Sequence, residues 1–281
     1  MSTAAGYHPG ESAAHDLAGL ADQAERSRLA IGDTFPAAAV EFLAAQPMVV
    51  LGAADSDGRV WASLLTGQPG FLTVTGDRNL RVRSRPAADD PLRPVLQAPA
   101  HVGLLALEPG SRRRMRVNGR CQPIAEGLSV TAHQVYANCP KYISQRRPVA
   151  LEQLSATPAT SSASLTEAQR RLIQTADTFF IATHSAGGDA DASHRGGNPG
   201  FVTVHDGATL SWPDYTGNAM MMTLGNLLQE PSAGLLFLDW ATGSTLQLTG
   251  PPAPTGNSAP LRRVSSAECS SPSPASSSSA R

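Results

Sequence analysis

One pattern occurs twice in this chain, and that repeat constrains the fold more than any other feature. Residues 67–74 read GQPGFLTV and residues 197–204 read GNPGFVTV, so six of the eight positions are identical. Three further pairs follow the same order at a nearly constant offset: 48–51 with 179–182, 102–107 with 233–238, and 116–119 with 247–250. Such self-similarity predicts one folding unit used twice.

Each copy reads as a helix, a β-hairpin, the Gly-x-Pro-Gly-Phe strand, another strand, a short helix and two more strands. Strands outnumber helices and most connections are short, which favours an antiparallel arrangement over a doubly wound parallel sheet. We therefore expect a mainly β fold with short helices (α+β), in which two small barrels pack against each other as a pseudo-dimer.

Composition suggests where the units begin and end. Residues 1–33 are rich in Ala, Gly and charge, which predicts a poorly ordered lead-in with at most a short helix at 16–29. The first unit is expected at 34–150 and the second at 166–250, separated by an Ala/Ser/Thr-rich linker at 151–165. Residues 251–281 are rich in Ser and Pro, a composition that predicts a disordered tail.

Helix signals are clearest at four places. Pro36 suits the first turn of a helix, and Thr166 followed by Gln169 forms a capping-box pattern. Residues 129–138 and 218–229 are also predicted to be helices, the first because it ends before Pro140.

The bulk properties exclude several classes of partner. The formal net charge of the 281 residues is −1, which does not favour nucleic acid or an anionic membrane surface. No apolar run is long enough to span a bilayer, and the N-terminus lacks the pattern of a secretory signal, so a cytoplasmic location is expected. The three cysteines and the histidines have no metal-site spacing.

The second copy carries three sequence segments that identify a family. They are residues 191–201 (DASHRGGNPGF), 210–218 (LSWPDYTGN) and 230–240 (EPSAGLLFLDW), and residues 139–143 (CPKYI) add a segment common in tandem members. Over roughly residues 35–250 the chain resembles the pyridoxamine 5′-phosphate oxidase-like family of FMN-binding split barrels. The resemblance implies two tandem split β-barrels, a flavin held where the barrels meet, and oxidoreductase activity.

A phosphate site is predicted in the second copy. The helix expected to begin at Asn218 offers free backbone N–H groups, Gly217 permits close approach of a ligand, and Thr216 adds a donor. Arg195 and His194 on the preceding strand are expected to supply positive charge. The full set of predicted cofactor-binding residues is Ser193, His194, Arg195, Gly196, Tyr215, Thr216, Gly217 and Asn218. The alternative is that Asn218 only caps the helix and that Arg195 is a solvated strand residue.

The first copy lacks the corresponding features. Its short helix begins with Asp89 and Asp90, whose carboxylates would repel a phosphate, and Ser63-Leu64-Leu65 stands where the second copy has Ser-His-Arg. One flavin site is therefore expected, with the first copy contributing its far wall.

Other residues admit two interpretations. Trp212 and Tyr215 could flank a flavin, or Trp212 could belong to the core. The basic run 112–116 could meet an anionic substrate or could be a solvated hairpin edge. Lys141 and Tyr142 could reach substrate, Met220–Met222 are expected to pack a helix, and Asp189 and Asp191 are expected to be solvated in a turn.

Three functions remain open from the sequence. The first is an FMN-dependent oxidoreductase acting with a small-molecule substrate or electron donor, with self-association into a homodimer left open. The second is a non-catalytic protein that holds heme or a deazaflavin in the same slot. The third is a degenerate, truncated paralogue that binds nothing.

Overall fold

The computed structural model describes residues 6–146, 159–205, 209–250, 252–253, 262–265 and 268–272. Within them the α-helices are α1 (Pro9–Ala18), α2 (Ala21–Arg28), α3 (Ala37–Ala45), α4 (Glu167–Thr175) and α5 (Met222–Gln229), and a 3-10 helix at Val95–Gln97 replaces the short helix expected to begin at Asp89. The first-unit strands are β1 (Met48–Ala54), β2 (Val60–Thr66), β3 (Leu72–Val74), β4 (Asn79–Val82), β5 (Ala100–Glu108), β6 (Arg113–Ile124) and β7 (Gly127–Ala137). The second-unit strands are β8 (Ala159–Ser162), β9 (Thr178–His184), β10 (Ala190–Gly196), β11 (Thr203–Val204), β12 (Thr209–Trp212), β13 (Ala233–Leu238), β14 (Thr245–Gly250), β15 (Pro252–Ala253), β16 (Arg262–Ser265) and β17 (Glu268–Pro272).

The two units share one antiparallel topology. The first is a single sheet in the order β2-β1-β5-β6-β7-β4-β3. The second is divided into β10-β9-β13-β14-β17-β8 and β11-β12-β16-β15. In the first unit the single strand β7 pairs with both β4 and β6. In the second unit these two pairings are divided between two strands: β16 pairs with β12, and β17 pairs with β14. The predicted mainly β fold with two tandem units is confirmed, and none of the three sheets closes into a barrel within the described residues.

Strand β1 is buried on both faces, which explains its nearly unbroken apolar sequence. Val49 and Leu51 point into the core of the first unit. Val50 instead joins a separate cluster that includes Phe180 and Leu236 of the second unit. Because successive side chains of a strand point to opposite faces, β1 contributes to its own core and to the junction between the units.

Two glycines show that the junction has local two-fold symmetry. A Cβ placed on Gly103 of β5 would lie 2.5 Å from the Cα of Asp191, and one on Gly234 of β13 would lie 2.6 Å from the Cα of Trp61. The strand pairings make Gly103 equivalent to Gly234, and Trp61 equivalent to Asp191. Each unit therefore makes the same contact with the other, as in an isologous dimer, and the predicted pseudo-dimer is confirmed.

The pairings also correct the register of one repeat match. Residues 48–51 were matched with 179–182, an offset one residue larger than that of the Gly-x-Pro-Gly-Phe strands. Met48 pairs with Thr66 and Thr178 pairs with Gly196, so Met48 is equivalent to Thr178. Two short apolar runs still look similar when they are aligned one residue out of register, whereas hydrogen-bonded strand pairing fixes the register.

Substituting Gly103 with alanine is expected to lower the free energy of unfolding by about 1–3 kcal/mol, because the added methyl group would push the two units apart. Urea unfolding of the full chain measures this change. The matched control is Gly76→Ala, where the nearest atom to an added Cβ is 3.7 Å away. Equal losses in the two variants would contradict the close packing at the junction.

One predicted helix, residues 129–138, is wrong: this segment is strand β7. Asn118 of β6 pairs with Gln134 and Gly119 pairs with Ala132, so His133 is an extra residue in a β-bulge. The bulge breaks the two-residue alternation and leaves apolar residues 132, 135 and 136 at helix-like spacing. Pairing with β4 on one side and β6 on the other decides the conformation.

The chain ends differ from expectation where they are described. Residues 9–28 form α1 and α2, separated at Gly19, instead of one short helix at 16–29 in a poorly ordered lead-in. Strands β15, β16 and β17 lie within the segment expected to be disordered, and β8 lies within the expected linker. The rest of that tail and most of the linker lie outside the described residues, and the predicted boundaries stay predictions there. No helix in the described part of the chain is long and apolar enough to cross a membrane.

Candidate functional site

Strand β10 carries four of the predicted cofactor-binding residues to the junction between the units. Ser193 and His194 are buried there, and Gly196 lies so close to the Tyr142 carbonyl oxygen that a Cβ would be 2.0 Å from it. The Thr223 hydroxyl of α5 donates to the Ser193 hydroxyl at 3.0 Å. Ser193 therefore fastens β10 to α5.

Arg195 and Arg114 place two guanidinium groups beside His194. The Nε of Arg195 lies 3.6 Å from the Asp214 carboxylate, and its Nη1 donates to the His194 carbonyl oxygen at 3.2 Å. The Nη1 of Arg114, on β6 of the first unit, donates to His194 Nδ1 at 3.0 Å. The junction thus combines basic groups from both units.

His194 does not supply positive charge, which corrects the expectation from sequence. Burial lowers its pKa well below the ordinary value, and the positive charges of Arg114, Arg195 and Arg146 lower it further. Because Nδ1 accepts the Arg114 hydrogen bond, the proton of the neutral ring is assigned to Nε2. That Nε2 is buried and has no hydrogen-bond partner within the described residues.

Two other donor atoms around His194 also lack a hydrogen bond within the described residues. The Nε atoms of Arg114 and Arg195 are buried without a hydrogen-bond partner in the described part of the chain. Burial lowers the pKa of Arg114 to about 10, and the nearby Arg116 and Arg195 charges contribute to that shift. No carboxylate among the described residues forms an ion pair with Arg114, so the cluster has excess positive charge.

The loop before α5 contains the remaining predicted residues, and it differs from expectation. Tyr215, Thr216 and Gly217 are exposed on this loop. The Tyr215 ring stacks on Tyr142 of the first unit, with centroids 5.0 Å apart, and the Tyr142 hydroxyl donates to the Thr216 carbonyl oxygen.

Helix α5 begins at residue 222 rather than at Asn218. Ala219 and Met221 have positive φ angles, 61° and 48°, so the chain turns before the helix starts. The Asn218 side chain accepts the Met220 N–H at 3.2 Å, and its carbonyl oxygen accepts the Ser27 hydroxyl. The prediction that Asn218 presents a helix N-terminus to a phosphate is therefore wrong in its boundary, because a local turn already uses the Asn218 side chain.

Trp212 and Asp191 are both buried, whereas Trp212 was a candidate to flank the flavin and Asp191 was expected to be solvated in a turn. Trp212 packs edge-on against Phe179 in the second-unit core, which agrees with the core interpretation. Asp191 is only 3% exposed and forms an ion pair with Arg116 of the first unit, which corrects its expected solvation. The Asn118 amide donates to the same Asp191 oxygen at 3.3 Å. The basic run 112–116 is thus divided, with residues 112 and 113 exposed and Arg116 turned inward.

In the first unit, the carboxylate of Asp90 lies beside Ser63 of β2. One oxygen of Asp90 accepts the Ser63 hydroxyl and the Leu92 N–H, both at 2.8 Å, and the other accepts the Gln247 amide at 3.2 Å. Ser63 is equivalent to Ser193, and Gln247 is equivalent to Arg116. The chain therefore provides its own anion on this side of the junction.

Sequence reasoning missed the N-terminal helices as part of this region. Ser27 donates to the Asn218 carbonyl oxygen at 2.6 Å, and the His15 ring lies 3.2 Å from the Met220 carbonyl oxygen. His8 Nε2 lies 2.8 Å from the Asn226 side-chain oxygen. These contacts join residues that are about two hundred positions apart in the chain, so no local sequence motif could have shown them.

The arrangement suits a polar, anionic ligand better than a metal ion. The described residues contain no group of three or more His, Cys, Asp or Glu side chains able to hold a metal. Buried, unpartnered donors on Arg114, His194 and Arg195 are suited to phosphate or ring-edge acceptors.

Comparison with known proteins agrees with the repeat. The family model described as pyridoxamine 5′-phosphate oxidase matches the chain twice, at residues 35–159 and 165–271. A solved structure from Lactobacillus delbrueckii, provisionally described as a pyridoxamine 5′-phosphate oxidase, is 16% identical, with a TM-score of 0.31, covering 39% of this chain and 94% of its own. HupZ from Group A Streptococcus is 13% identical, with a TM-score of 0.28, covering 38% of this chain and 87% of its own. No curated protein matches the chain.

Proposed function

Because this chain belongs to the pyridoxamine 5′-phosphate oxidase family, we propose that it is a flavoprotein that binds one FMN at the junction of its two units and acts as an oxidoreductase. The observation that carries the proposal is the cluster of Arg114, His194 and Arg195. His194 Nε2 and the Nε atoms of the two arginines are buried without a hydrogen bond within the described residues, and both units contribute to the cluster.

The residues of the cluster fit the groups that FMN presents. Arg114 and Arg195 would balance the phosphate charge, and the Arg195 side chain, 20% exposed, is reachable from solvent. The neutral His194 would donate from Nε2 without adding charge. Tyr142 and Tyr215 would offer an aromatic surface beside the cluster. Ser193, Gly196, Thr216, Gly217 and Asn218 would shape the surrounding backbone.

A bound flavin would supply hydride or electron transfer, and the protein would supply position and electrostatics. Burial of His194 keeps the ring neutral near neutral pH, so its Nε2 proton stays in place as a donor. The hydroxyl pair Thr223–Ser193 holds β10 against α5 and thereby sets where His194 lies. The reaction partner is proposed to be a small-molecule substrate or electron donor.

The proposal includes FMN at only one of two equivalent places in the chain, the one beside Ser193 and not the one beside Ser63. Asp90 presents a partly buried carboxylate to Ser63 and Gln247, and a second phosphate there would meet that charge at close range. The absorbance spectrum of the purified full chain tests the function. Release of one FMN per chain on denaturation is expected. A Soret band would favour heme, and a colourless protein that takes up no added FMN would contradict the proposal.

Arg195→Ala is expected to weaken FMN binding about tenfold to a hundredfold, because it removes a charge-assisted contact to the phosphate. The quenching of FMN fluorescence on titration with protein gives the dissociation constant. Added inorganic phosphate should compete with FMN for the native site, and it should compete less strongly in the variant, because the variant lacks one of the phosphate contacts.

Arg120→Ala is the matched control, since Arg120 is an exposed arginine on the same strand as Arg114. It should bind FMN as the native protein does. An unchanged affinity of Arg195→Ala for FMN would show that Arg195 is not part of the site. Equal weakening of FMN binding in both variants would indicate a non-specific charge effect.

A further inference from the structure

A cavity of the first unit contains two arginines and shares no residue with the proposed flavin site. It lies between the loop that follows β4, the short 3-10 helix Val95–Gln97 and the end of β6. Its volume is about 290 Å³, near the lower end of the range for small-molecule sites. The lining residues are Arg85, Pro86, Arg93, Leu96, Gln97 and Pro123.

Main-chain acceptors hold both guanidinium groups in place. Arg85 donates to the carbonyl oxygens of Ile124 and Ala125, and Arg93 donates to the Pro86 carbonyl oxygen at 2.7 Å. These acceptors are neutral, and neither arginine forms an ion pair with a carboxylate among the described residues. The positive charges are therefore oriented but not neutralised.

The acidic residues of the same loop are turned away from the cavity. Asp89 accepts the Ala159 N–H at 2.6 Å, and Asp90 accepts the Ser63 hydroxyl at 2.8 Å. Neither residue lines the cavity. The lining thus contains two cationic groups and no anionic side chain.

Three of the six lining residues are apolar. Leu96 is 4% exposed, and Pro86 and Pro123 complete a surface without side-chain donors or acceptors. From this combination we infer that the cavity binds a small organic anion whose phosphate or carboxylate head contacts Arg85 and Arg93 and whose apolar body lies against Leu96. Planar guanidinium groups suit either head group by paired hydrogen bonds.

Three probes of similar size test the inference: phenyl phosphate, benzoate and uncharged phenol. Calorimetric titration of the full chain should show saturable binding of phenyl phosphate, benzoate or both, and no saturable binding of phenol. Arg93→Gln and, separately, Arg85→Gln should weaken the binding at least about tenfold. Arg120→Gln, which removes an exposed charge elsewhere on the unit, should not change it.

The junction variant separates this site from the flavin site. Probe binding that persists in Arg195→Ala, including when FMN binding is lost, supports the inference. Probe binding that is lost in Arg195→Ala and retained in Arg93→Gln would assign it to the junction and overturn the inference. Absence of saturable binding by the native chain, or equal weakening in Arg120→Gln, would also overturn it.

Discussion

Replacing Asp191 with alanine is expected to lower the free energy of unfolding by about 3–5 kcal/mol, the largest effect we foresee. Asp191 of the second unit is the partner of Arg116 of the first, and the side chains are 5% and 8% exposed. Without Asp191 the guanidinium would be a buried charge with no ion-pair partner among the described residues, beside the Tyr136 ring 5.2 Å away. Denaturant unfolding at neutral pH measures the loss.

Two further variants show whether the loss belongs to the pair. Arg116→Met/Asp191→Leu should be less destabilised than Asp191→Ala, because an apolar pair leaves no uncompensated charge. Asp57→Asn removes a partner of the exposed Arg59 and should cost less than about 1 kcal/mol. A cost for Asp191→Ala no greater than that of Asp57→Asn would contradict a buried ion pair at the junction.

Glu11→Gln is expected to make the protein more stable at pH 8 by up to about 3 kcal/mol and at pH 5 by less than about 1 kcal/mol. Burial raises the pKa of Glu11 to about 7 from the ordinary 4.5. Between these values the folded chain holds a proton that the unfolded chain has lost, so the stability of the native protein falls as pH rises. Glutamine stays neutral and removes this term.

The surroundings of Glu11 set the size of the effect. The His8 N–H donates to its carboxylate at 2.8 Å, and the Arg116 charge also favours the ionised form, whereas Asp189 opposes it. Unfolding free energies at the two pH values, compared between variant and native protein, give the result. The control is Glu41→Gln, which removes a carboxylate from an exposed position. A variant as pH-dependent as the native protein would contradict the assignment to Glu11.

Much of the fold could be predicted from sequence because it is written in local patterns. Strands with one or two buried faces show as alternating or continuous apolar runs, and the Gly-x-Pro-Gly-Phe strands mark the same turn twice. The Thr166 capping box and the helix after Pro36 are confirmed for the same reason, since their signals lie within one turn of the helix.

The candidate site was predicted only in part. The place of Ser193, His194 and Arg195 on a strand facing the junction agrees with expectation. The charge state of His194 does not, because it depends on burial and on Arg114, eighty positions earlier in the chain. Their roles in binding FMN remain predictions for the experiments above.

By itself, the sequence determined that there are two like units, that they are mainly β, and that one differs from the other around Ser63 and Ser193. Only the tertiary structure decided that β7 is a strand, that Asp191 is buried, and that the N-terminal helices cover the start of α5. The physical reason is the range of the interactions. Period and turn chemistry act between near neighbours, whereas burial, pKa and ion pairing depend on which distant segments are brought together.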